Sequence, residues 1–175
     1  MQKEFIETER LILRKFKKED ALQMFINWTH DEEVTKYVTW SAHQSLDETR
    51  GILSYWLKEY ELPTTNRYCI TVKGNDEPLG SIDVVHIDNG IPELGYCLAK
   101  KAWNKGYATE AAKALIDDLL GNEYQKICIC AFKDNIASNR VIQKCGFKFI
   151  KEIKMNIKDQ DVIVNYYILE KLLFN

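Results

Sequence analysis

The pattern of apolar and polar positions predicts a short strand and then helices in the first third of the chain. Residues 9–16 alternate as a strand does, and short helical patterns follow at 18–26 and 31–37. Ser45 and Glu48 have capping-box spacing, which predicts a helix that runs to about Tyr60. The core positions expected on this helix are Leu46, Ile52, Leu53, Trp56 and Tyr60.

The middle of the chain has the pattern of three strands joined by tight turns. Strands are predicted at 68–72, 79–86 and 91–98, with turns at 73–76 and 88–90 that contain Gly, Asn and Asp. Short turns join antiparallel neighbours, so this region predicts a meander.

The last third alternates between helices and strands. Six apolar positions at helical spacing predict one buried helix face that ends near residues 121–122. They are Ala108, Ala111, Ala112, Leu115, Ile116 and Leu119. A strand at 126–132, a helix at 135–145 and two strands at 147–157 and 162–169 follow. The order predicts an α/β or α+β fold with a mixed sheet, built as a single domain over residues 1–175.

Composition narrows the class of protein. The 175 residues are 46% hydrophobic and 29% charged, with a net charge of −2, so a basic nucleic-acid-binding domain is not expected. No apolar run is long enough for a membrane span, and the first residues lack a secretory signal, so we expect a cytoplasmic protein. The five cysteines form no C-x-x-C pair and the three histidines are scattered, so reduced thiols and no metal site are expected.

The segment 103–111 has the features of an anion site. It lies between an apolar strand and a periodic helix, and a helix N-terminus presents unpaired amides and a positive dipole end to a ligand. Lys105 adds a positive charge, and Gly106 lets the backbone approach a ligand closely. The spacing fits neither a P-loop nor a dinucleotide fingerprint, and by itself such a loop can be a plain connection. Glu110 in the first turn is expected to stabilise the helix dipole.

A second polar stretch opens the following helix. Asn135 is a natural N-cap, and Ser138 lies one turn later on the same side. Taken alone, this pattern is also that of an ordinary capped helix with solvated polar residues.

Together these stretches resemble the GNAT acetyltransferases, and within them the Rim-type branch of ribosomal-protein N-terminal acetyltransferases. The matching elements occur in family order and span nearly the whole chain. They are ETERLILR at 7–14, ELGY at 93–96, WNKGYATEA at 103–111, and NxxSxRVIxKxGF at 135–147.

The resemblance implies a mostly antiparallel twisted sheet, flanked by helices, in which the parallel strands at 91–98 and 126–132 splay apart. Acetyl-CoA would bind as cosubstrate in that V-shaped opening. Its pantetheine arm and thioester would pair with the backbone of Tyr96, Cys97 and Leu98, and Asn135 would contact the arm or an ordered water. The pyrophosphate would bind the amides of Asn104, Lys105, Gly106, Tyr107, Ala108 and Thr109.

Two positions in the loop depart from the family pattern. Trp103 stands where Gln or Arg is usual, as is common in this branch, and Asn104 stands where Gly is frequent. Because Asn accepts a positive φ better than most residues, the loop conformation is expected to be kept.

The resemblance also implies direct attack of a primary amine on the thioester in a ternary complex. Many members carry a Tyr acid seven residues after the Asn, where this chain has Ile142, so Ser138 is the expected acid. Glu93 is the expected base, with Asp83 and His86 in reserve. An amide near Leu98 would polarise the carbonyl. An acyl-enzyme on Cys97 remains an alternative.

The acceptor is left open by the sequence. Tyr37 and Trp40 are expected in its pocket, and the amine could belong to a protein N-terminus or to a small molecule. A CoA-binding sensor without turnover and a plain scaffold that binds no nucleotide are the competing functions. The resemblance also allows a homodimer, since many relatives pair through their C-terminal strands.

Overall fold

The alternating stretches of the chain form one eight-stranded sheet in a computed structural model that describes residues 3–62, 64–122 and 124–171. The strand order is β1-β2-β3-β4-β5-β6-β8-β7, and every neighbouring pair is antiparallel except β5 and β6. The strands are β1 Phe5–Glu7, β2 Leu11–Arg14, β3 Arg67–Val72, β4 Asn75–Asp88, β5 Ile91–Leu98, β6 Lys126–Phe132, β7 Lys148–Ile157 and β8 Gln160–Glu170. The predicted mixed sheet with one parallel pair is confirmed.

The described residues form five α-helices beside the sheet. They are α1 Ala21–Met24, α2 Glu32–Thr35, α3 Leu46–Glu59, α4 Tyr107–Asn122 and α5 Ile136–Lys144. Side chains cap several of them as the sequence predicts: Ser45 Oγ accepts the amide of Glu48, and Asn135 Oδ1 accepts the amide of Ser138. A turn of π-helix at Phe25–Thr29 follows α1, and 3₁₀ turns occur at Lys18–Asp20 and Lys100–Ala102.

The sheet separates two hydrophobic clusters. Helices α4 and α5 pack on one face, where Leu115 and Ile142 meet Leu94, Ile127 and Ile129 of the central strands. We call this side of the sheet the α4–α5 face. Helices α1 and α3 pack on the opposite side of the sheet, which we call the α1–α3 face. Met24, Trp28 and Leu53 are buried there against Cys69 and Cys97. Alternation along β5 therefore puts Leu94, Tyr96 and Leu98 on one face and Cys97 on the other.

The strand predicted at residues 9–16 is confirmed as β2, with the shorter bounds Leu11–Arg14. A further strand that the pattern did not predict, β1, precedes it and pairs with it as a hairpin. Thr8 turns the chain between the two strands, because its hydroxyl accepts the amide of Leu11 at 2.9 Å while its own amide donates to the carbonyl of Leu11 at 3.0 Å. Such local bonds compete with an extended ladder and form a turn.

Smaller differences occur at element ends. Ile52, an expected core position of α3, is 38% exposed, whereas Leu53 beside it is buried. Helix α4 continues through Gly121 to Asn122, whose side chain donates to the carbonyl of Asp118 at 2.8 Å and satisfies a carbonyl of the last turn. In the described part of the chain, no helix is long and apolar enough to cross a bilayer.

Candidate functional site

A wedge-shaped gap opens between the two parallel strands at the centre of the sheet. Strands β5 and β6 pair only at Glu93 with Cys128 and at Leu94 with Ile129. Beyond these pairs β5 continues to Leu98 and β6 to Phe132 without pairing to each other. We call this opening the gap. It leaves the facing edges of two central strands unpaired with each other beyond Leu94 and Ile129.

Backbone groups of β5 line the gap. The amide of Ala99 donates to the carbonyl of Leu79 at 2.8 Å, so alternate residues from Ala99 backwards direct their backbone groups to β4. Cys97 and Gly95 therefore direct their backbone N–H and C=O groups to β4, whereas Tyr96 and Leu98 direct their backbone groups into the gap. The indole of Trp103 already donates to the carbonyl of Leu98 at 2.7 Å. The amides of Tyr96 and Leu98 and the carbonyl of Tyr96 therefore form the edge available to a ligand.

The loop between β5 and α4 has the conformation expected of an anion site. Asn104 has a φ of 57° and Gly106 a φ of 81°, so the expectation that Asn104 accepts this conformation is confirmed. A side chain at position 106 would also crowd Arg10, since an added Cβ would lie 3.2 Å from its Nη2 atom. Helix α4 begins at Tyr107, and the amides of its first turn have no partner inside the helix.

A brace from the first hairpin holds this loop. The backbone amide of Arg10 and the hydroxyl of Thr8 donate to Glu110 Oε1 at 2.8 and 2.6 Å, and Arg10 Nε donates to Oε2 at 2.7 Å. Arg10 Nη1 also donates to the carbonyl of Lys105 at 2.9 Å. Burial opposes ionisation of Glu110, but these hydrogen bonds outweigh it and hold its pKa below the usual 4.5. Glu110 thus anchors the loop, beyond the dipole role expected from sequence.

Ser138 and Asn135 lie where the second motif predicts, at the start of α5 beside the gap. Asn135 accepts the amide of Ser138 at 3.1 Å, and the hydroxyl of Ser138 lies 2.9 Å from the hydroxyl of Tyr96. Asn139, one residue on, is buried and fixes the helix. It donates to the carbonyls of Phe132 and Asn135, and its Oδ1 accepts the hydroxyl of Tyr167 on β8 at 2.6 Å.

Glu93 lies at the closed end of the gap, on the α1–α3 face by strand alternation. Its side chain is 20% exposed and its Oε2 atom lies 3.4 Å from Nε2 of His86 on β4. The Cys130 thiol is a neighbour on β6, where burial, with help from the Glu93 carboxylate, raises the thiol pKa to about 12. Glu93 and Ser138 therefore approach the gap from opposite faces of the sheet.

Asp83 occupies the same face as Glu93 but is held in a buried ion-pair group. Its Oδ2 atom accepts Arg67 Nε at 3.0 Å, and Arg67 also pairs with Glu59 of α3. Burial raises the pKa of Asp83 despite the neighbouring Arg67. Of the two reserve bases, His86 contacts Glu93, and Asp83 lies opposite Gly95, the first β5 residue beyond the paired segment.

Cys97 is a poor nucleophile in this arrangement. It is buried on the α1–α3 face, and burial raises the pKa of its thiol to about 12. Because the thiolate is the reactive form, almost none is available at neutral pH.

The aromatic residues expected in the acceptor pocket lie on the α1–α3 side. The ring of Tyr37 contacts that of Phe132, the last residue of β6, with 5.7 Å between centroids. Trp40 packs against the second cluster and contacts His43. Lys158, in the turn between β7 and β8, donates to the carbonyl of Thr35 at 2.6 Å and brings that turn to the same rim.

Three features of the site were not recognised from sequence. They are the brace of Arg10 and Glu110, the bond from Trp103 to Leu98, and the network around Asn139. Asn139 carried one usable signal, since it lies four residues after Asn135 and so shares its side of the predicted helix. The brace joins segments 100 residues apart, and the bond from Trp103 to Leu98 depends on the rotamer of the indole, so neither has a local sequence signal.

Comparison with known proteins agrees with this geometry. A family model described as an acetyltransferase (GNAT) domain matches residues 10–148. A Bacillus licheniformis protein named uncharacterized N-acetyltransferase p20 is 37% identical over 117 residues. That match covers 65% of this chain and 65% of the relative, so the chain spans just under two thirds of that protein's length.

Solved structures share the fold over nearly the whole chain. A GNAT-family acetyltransferase from Bacillus anthracis has a TM-score of 0.85 at 24% identity, covering 95% of this chain and 98% of that one. The ribosomal alpha-N-protein acetyltransferase RimL, in complex with coenzyme A, has a TM-score of 0.83 at 20% identity, with 95% and 98% coverage. The expected Rim-type resemblance is therefore confirmed at the level of fold.

Proposed function

Because this chain belongs to the GNAT acetyltransferase family, we propose that it transfers an acetyl group from acetyl-CoA to a primary amine by direct attack in a ternary complex. The gap between β5 and β6 is the observation that carries the proposal. It combines free backbone groups at Tyr96 and Leu98 with a helix N-terminus and a positively charged loop at Lys105.

These parts fit the chemistry of the cosubstrate. An extended pantetheine arm has amides that can pair with the open edge of β5 as an added strand does. The pyrophosphate is an anion that suits the amides of the loop and of the first turn of α4, from Asn104 to Thr109. The open edge of β5 and the amides of the loop lie close along the chain, because only the 3₁₀ turn at Lys100–Ala102 and the loop after it separate β5 from α4.

The proposed reaction uses the two faces of the sheet for its two proton transfers. The amine nitrogen attacks the thioester carbon from the α1–α3 face and gives up a proton to Glu93, directly or through water. The amide of Leu98 stabilises the carbonyl oxygen as negative charge develops on it. The carbon–sulfur bond then breaks, the electron pair leaves with sulfur, and Ser138 supplies a proton from the α4–α5 face.

An acyl-enzyme on Cys97 is not part of this proposal. The buried thiol with a pKa of about 12 cannot supply a thiolate at useful concentration near neutral pH. Direct attack needs no enzyme nucleophile and so fits the site better.

The acceptor is proposed to be a primary amine that enters from the side of Tyr37 and Trp40. Rim-type neighbours include enzymes named for ribosomal proteins, which supports a protein N-terminus as one candidate. A small-molecule amine is the other candidate, since the acceptor side is built from residues that the family motifs do not specify.

A turnover assay tests the proposal. The wild-type protein is mixed with acetyl-CoA and either a short peptide with a free N-terminus, an amino acid or a polyamine, and release of the CoA thiol is followed. We expect thiol release in step with formation of the acetylated amine for at least one class. Tight acetyl-CoA binding by calorimetry with no release for any amine would overturn the enzymatic proposal in favour of a CoA sensor.

We also propose that two copies pair along the C-terminal strands. Strand β7 is one of the two outer strands of the sheet, and Phe149 and Ile150 on it are 53% and 50% exposed. Exposed apolar edge strands favour pairing with another chain. Light scattering tests this, since a monomer mass at assay concentration would contradict it.

A further inference from the structure

The hydroxyl of Tyr96 is placed beside the hydroxyl that the proposed mechanism uses as an acid. Tyr96 Oη lies 2.9 Å from Ser138 Oγ, so the pair joins β5 to α5 next to the gap. In the described part of the chain, Ser138 is the hydrogen-bond partner that the structure gives to Tyr96 Oη.

The direction of this hydrogen bond decides what Ser138 can do. A serine hydroxyl has one proton and accepts through its lone pairs. If Ser138 donated to Tyr96, its proton would be occupied and could not reach a departing sulfur. If Tyr96 donates to Ser138 Oγ, the proton of Ser138 is free to point elsewhere. The oxygen of Ser138 is then held in place by the hydrogen bond that it accepts from Tyr96.

Tyr96 is suited to a lasting donor role. Its ring packs against the cluster on the α4–α5 face, and burial raises the pKa of its hydroxyl to about 12. The phenol therefore keeps its proton over the whole pH range in which an amine acetyltransferase would work. Its position is also rigid, because β5 is paired with β4 along its full length.

Ser138 is fixed from its other side as well. Its backbone amide is held by Asn135, and Asn139 ties the same helix turn to β8 through Tyr167. With the backbone of Ser138 fixed and its oxygen held by Tyr96, the rotation of the hydroxyl group is the one freedom left to it.

We propose that Tyr96 is the positioning residue for Ser138, donating its O–H to Ser138 Oγ so that the proton of Ser138 is aimed at the departing sulfur. This inference rests on the proposed function. When the carbon–sulfur bond breaks and the electron pair leaves with sulfur, the proton of Ser138 moves to the sulfur. The oxygen of Ser138 is stabilised by the donated hydrogen bond and regains a proton from solvent, while Glu93 releases to solvent the proton that it took from the amine.

The test compares Tyr96→Phe, Ser138→Ala and the double variant in the thiol-release assay. Ser138→Ala is expected to lower kcat about 100-fold, the lower range for loss of a general acid. Tyr96→Phe is expected to lower kcat about tenfold, the worth of one well-placed hydrogen bond. The double variant should be no slower than Ser138→Ala. KM and the calorimetric Kd for acetyl-CoA should stay within about threefold of wild type, since the pair acts on the leaving group and not on binding.

Tyr60→Phe is the matched control. Tyr60 is also a partly buried tyrosine. Its hydroxyl accepts the amide of Phe16 and donates to the carbonyl of Arg67, but it packs against the cluster on the α1–α3 face, away from the gap. The Tyr60→Phe variant should have a lower melting temperature than wild type and the same kcat. A 3-fluorotyrosine at position 96 keeps the shape and strengthens the donor, so kcat should not fall below wild type, and a fall as large as that of Tyr96→Phe would overturn the proposal.

The outcomes separate this inference from the proposed function. Wild-type kcat in Tyr96→Phe together with a slow Ser138→Ala would overturn the role of Tyr96 and leave Ser138 as the acid. Losses that multiply in the double variant would also overturn it, because the two residues would then act independently. Unchanged turnover in both single variants would remove Ser138 from the mechanism, and the role of Tyr96 with it.

Discussion

The two faces of the gap differ in how firmly their residues are held. On the α4–α5 face, Arg10 and Glu110 brace the loop, and Asn139 ties α5 to β8. On the α1–α3 face, the segments that approach the gap are short. Helix α2 has four residues, and Tyr37 and Trp40 follow it outside any helix or strand. The α4–α5 face therefore presents helix starts held by hydrogen-bond networks to the gap. The part of the α1–α3 face that carries Tyr37 and Trp40 consists of short segments, although the rest of that face holds helix α3 and the Arg67 ion pairs.

This difference matches the two proposed ligands. A cosubstrate common to a family calls for a constant site, which backbone amides and a rigid loop provide. An acceptor that varies between members calls for a surface that can change by local substitution, and loops on a rigid scaffold allow that. The comparison predicts that variants on the first face act on acetyl-CoA binding or on the leaving group. Variants on the second face should act on the amine.

The largest effect is expected from Gly106→Val. Valine cannot adopt the φ of 81° without strain, and its Cβ would crowd Arg10. We expect acetyl-CoA affinity to fall at least 100-fold in calorimetry. Gly74→Val is the control, because Gly74 has a φ of 80° in the turn between β3 and β4, with no atom near an added Cβ. The Gly74→Val variant should lose a similar free energy of unfolding and keep the wild-type affinity for acetyl-CoA. Equal affinity in both variants would refute the pyrophosphate assignment.

The next effect is expected from Glu93→Gln, which removes the proposed base on the opposite face. We expect kcat at neutral pH to fall about 100-fold, with the Kd of acetyl-CoA unchanged. The deficit should shrink as pH rises, since the amine then loses its proton to solvent without help. Steady-state rates between pH 6 and 10 would measure this.

Asp83→Asn separates the two carboxylates. Asp83 is engaged by Arg67, so its loss should reduce stability while kcat changes less than in Glu93→Gln. If Asp83→Asn were the slower of the two enzymes and still fully folded, the base would be Asp83.

A smaller effect is expected from Glu110→Gln, which weakens the brace on the first face. Loss of charged hydrogen bonds to Thr8 and Arg10 should lower the free energy of unfolding by about 2 kcal/mol at neutral pH. Because the pKa of Glu110 is held below 4.5, its contribution is present above that pH and is lost as pH falls through the folded value. Urea unfolding of both proteins should therefore differ at pH 7 and converge in acid. A constant difference down to pH 3 would contradict the brace.

The smallest effect is expected from Trp103→Phe, which leaves the carbonyl of Leu98 without its indole donor. One lost hydrogen bond of about 1 kcal/mol should raise the KM for acetyl-CoA roughly fivefold and change kcat little. A kcat loss larger than the KM change would mean that this bond positions the reacting carbonyl.

The sequence predicted the first face better than the second for a physical reason. Strand and helix periodicity, Asn135 as a cap and Asn104 as a positive-φ residue are local signals, and the structure has all of them. The brace from Arg10 to Glu110 spans 100 residues, so no local pattern could show it. The strand predicted at 9–16 is present as β2, but its partner β1 was not predicted, because three residues are too few to show an alternating pattern.

The second face offered few such signals. Aromatic residues after a loop predict Tyr37 and Trp40 as pocket residues, but the contact of Tyr37 with Phe132 depends on how the segment after α2 meets β6 in space. Likewise, Glu93 and Ser138 were both named from sequence, but their approach from opposite faces follows from strand alternation combined with the pairing of β5 and β6.

A crystal structure with acetyl-CoA bound tests the central claim most directly. We predict the thioester carbonyl within about 3.2 Å of the Leu98 amide, the arm paired with Tyr96, and the pyrophosphate on the amides from Asn104 to Thr109. Ser138 Oγ should face the sulfur, with Tyr96 still bonded to it. A pyrophosphate away from this loop, or an arm that leaves the gap between β5 and β6 empty, would contradict the account.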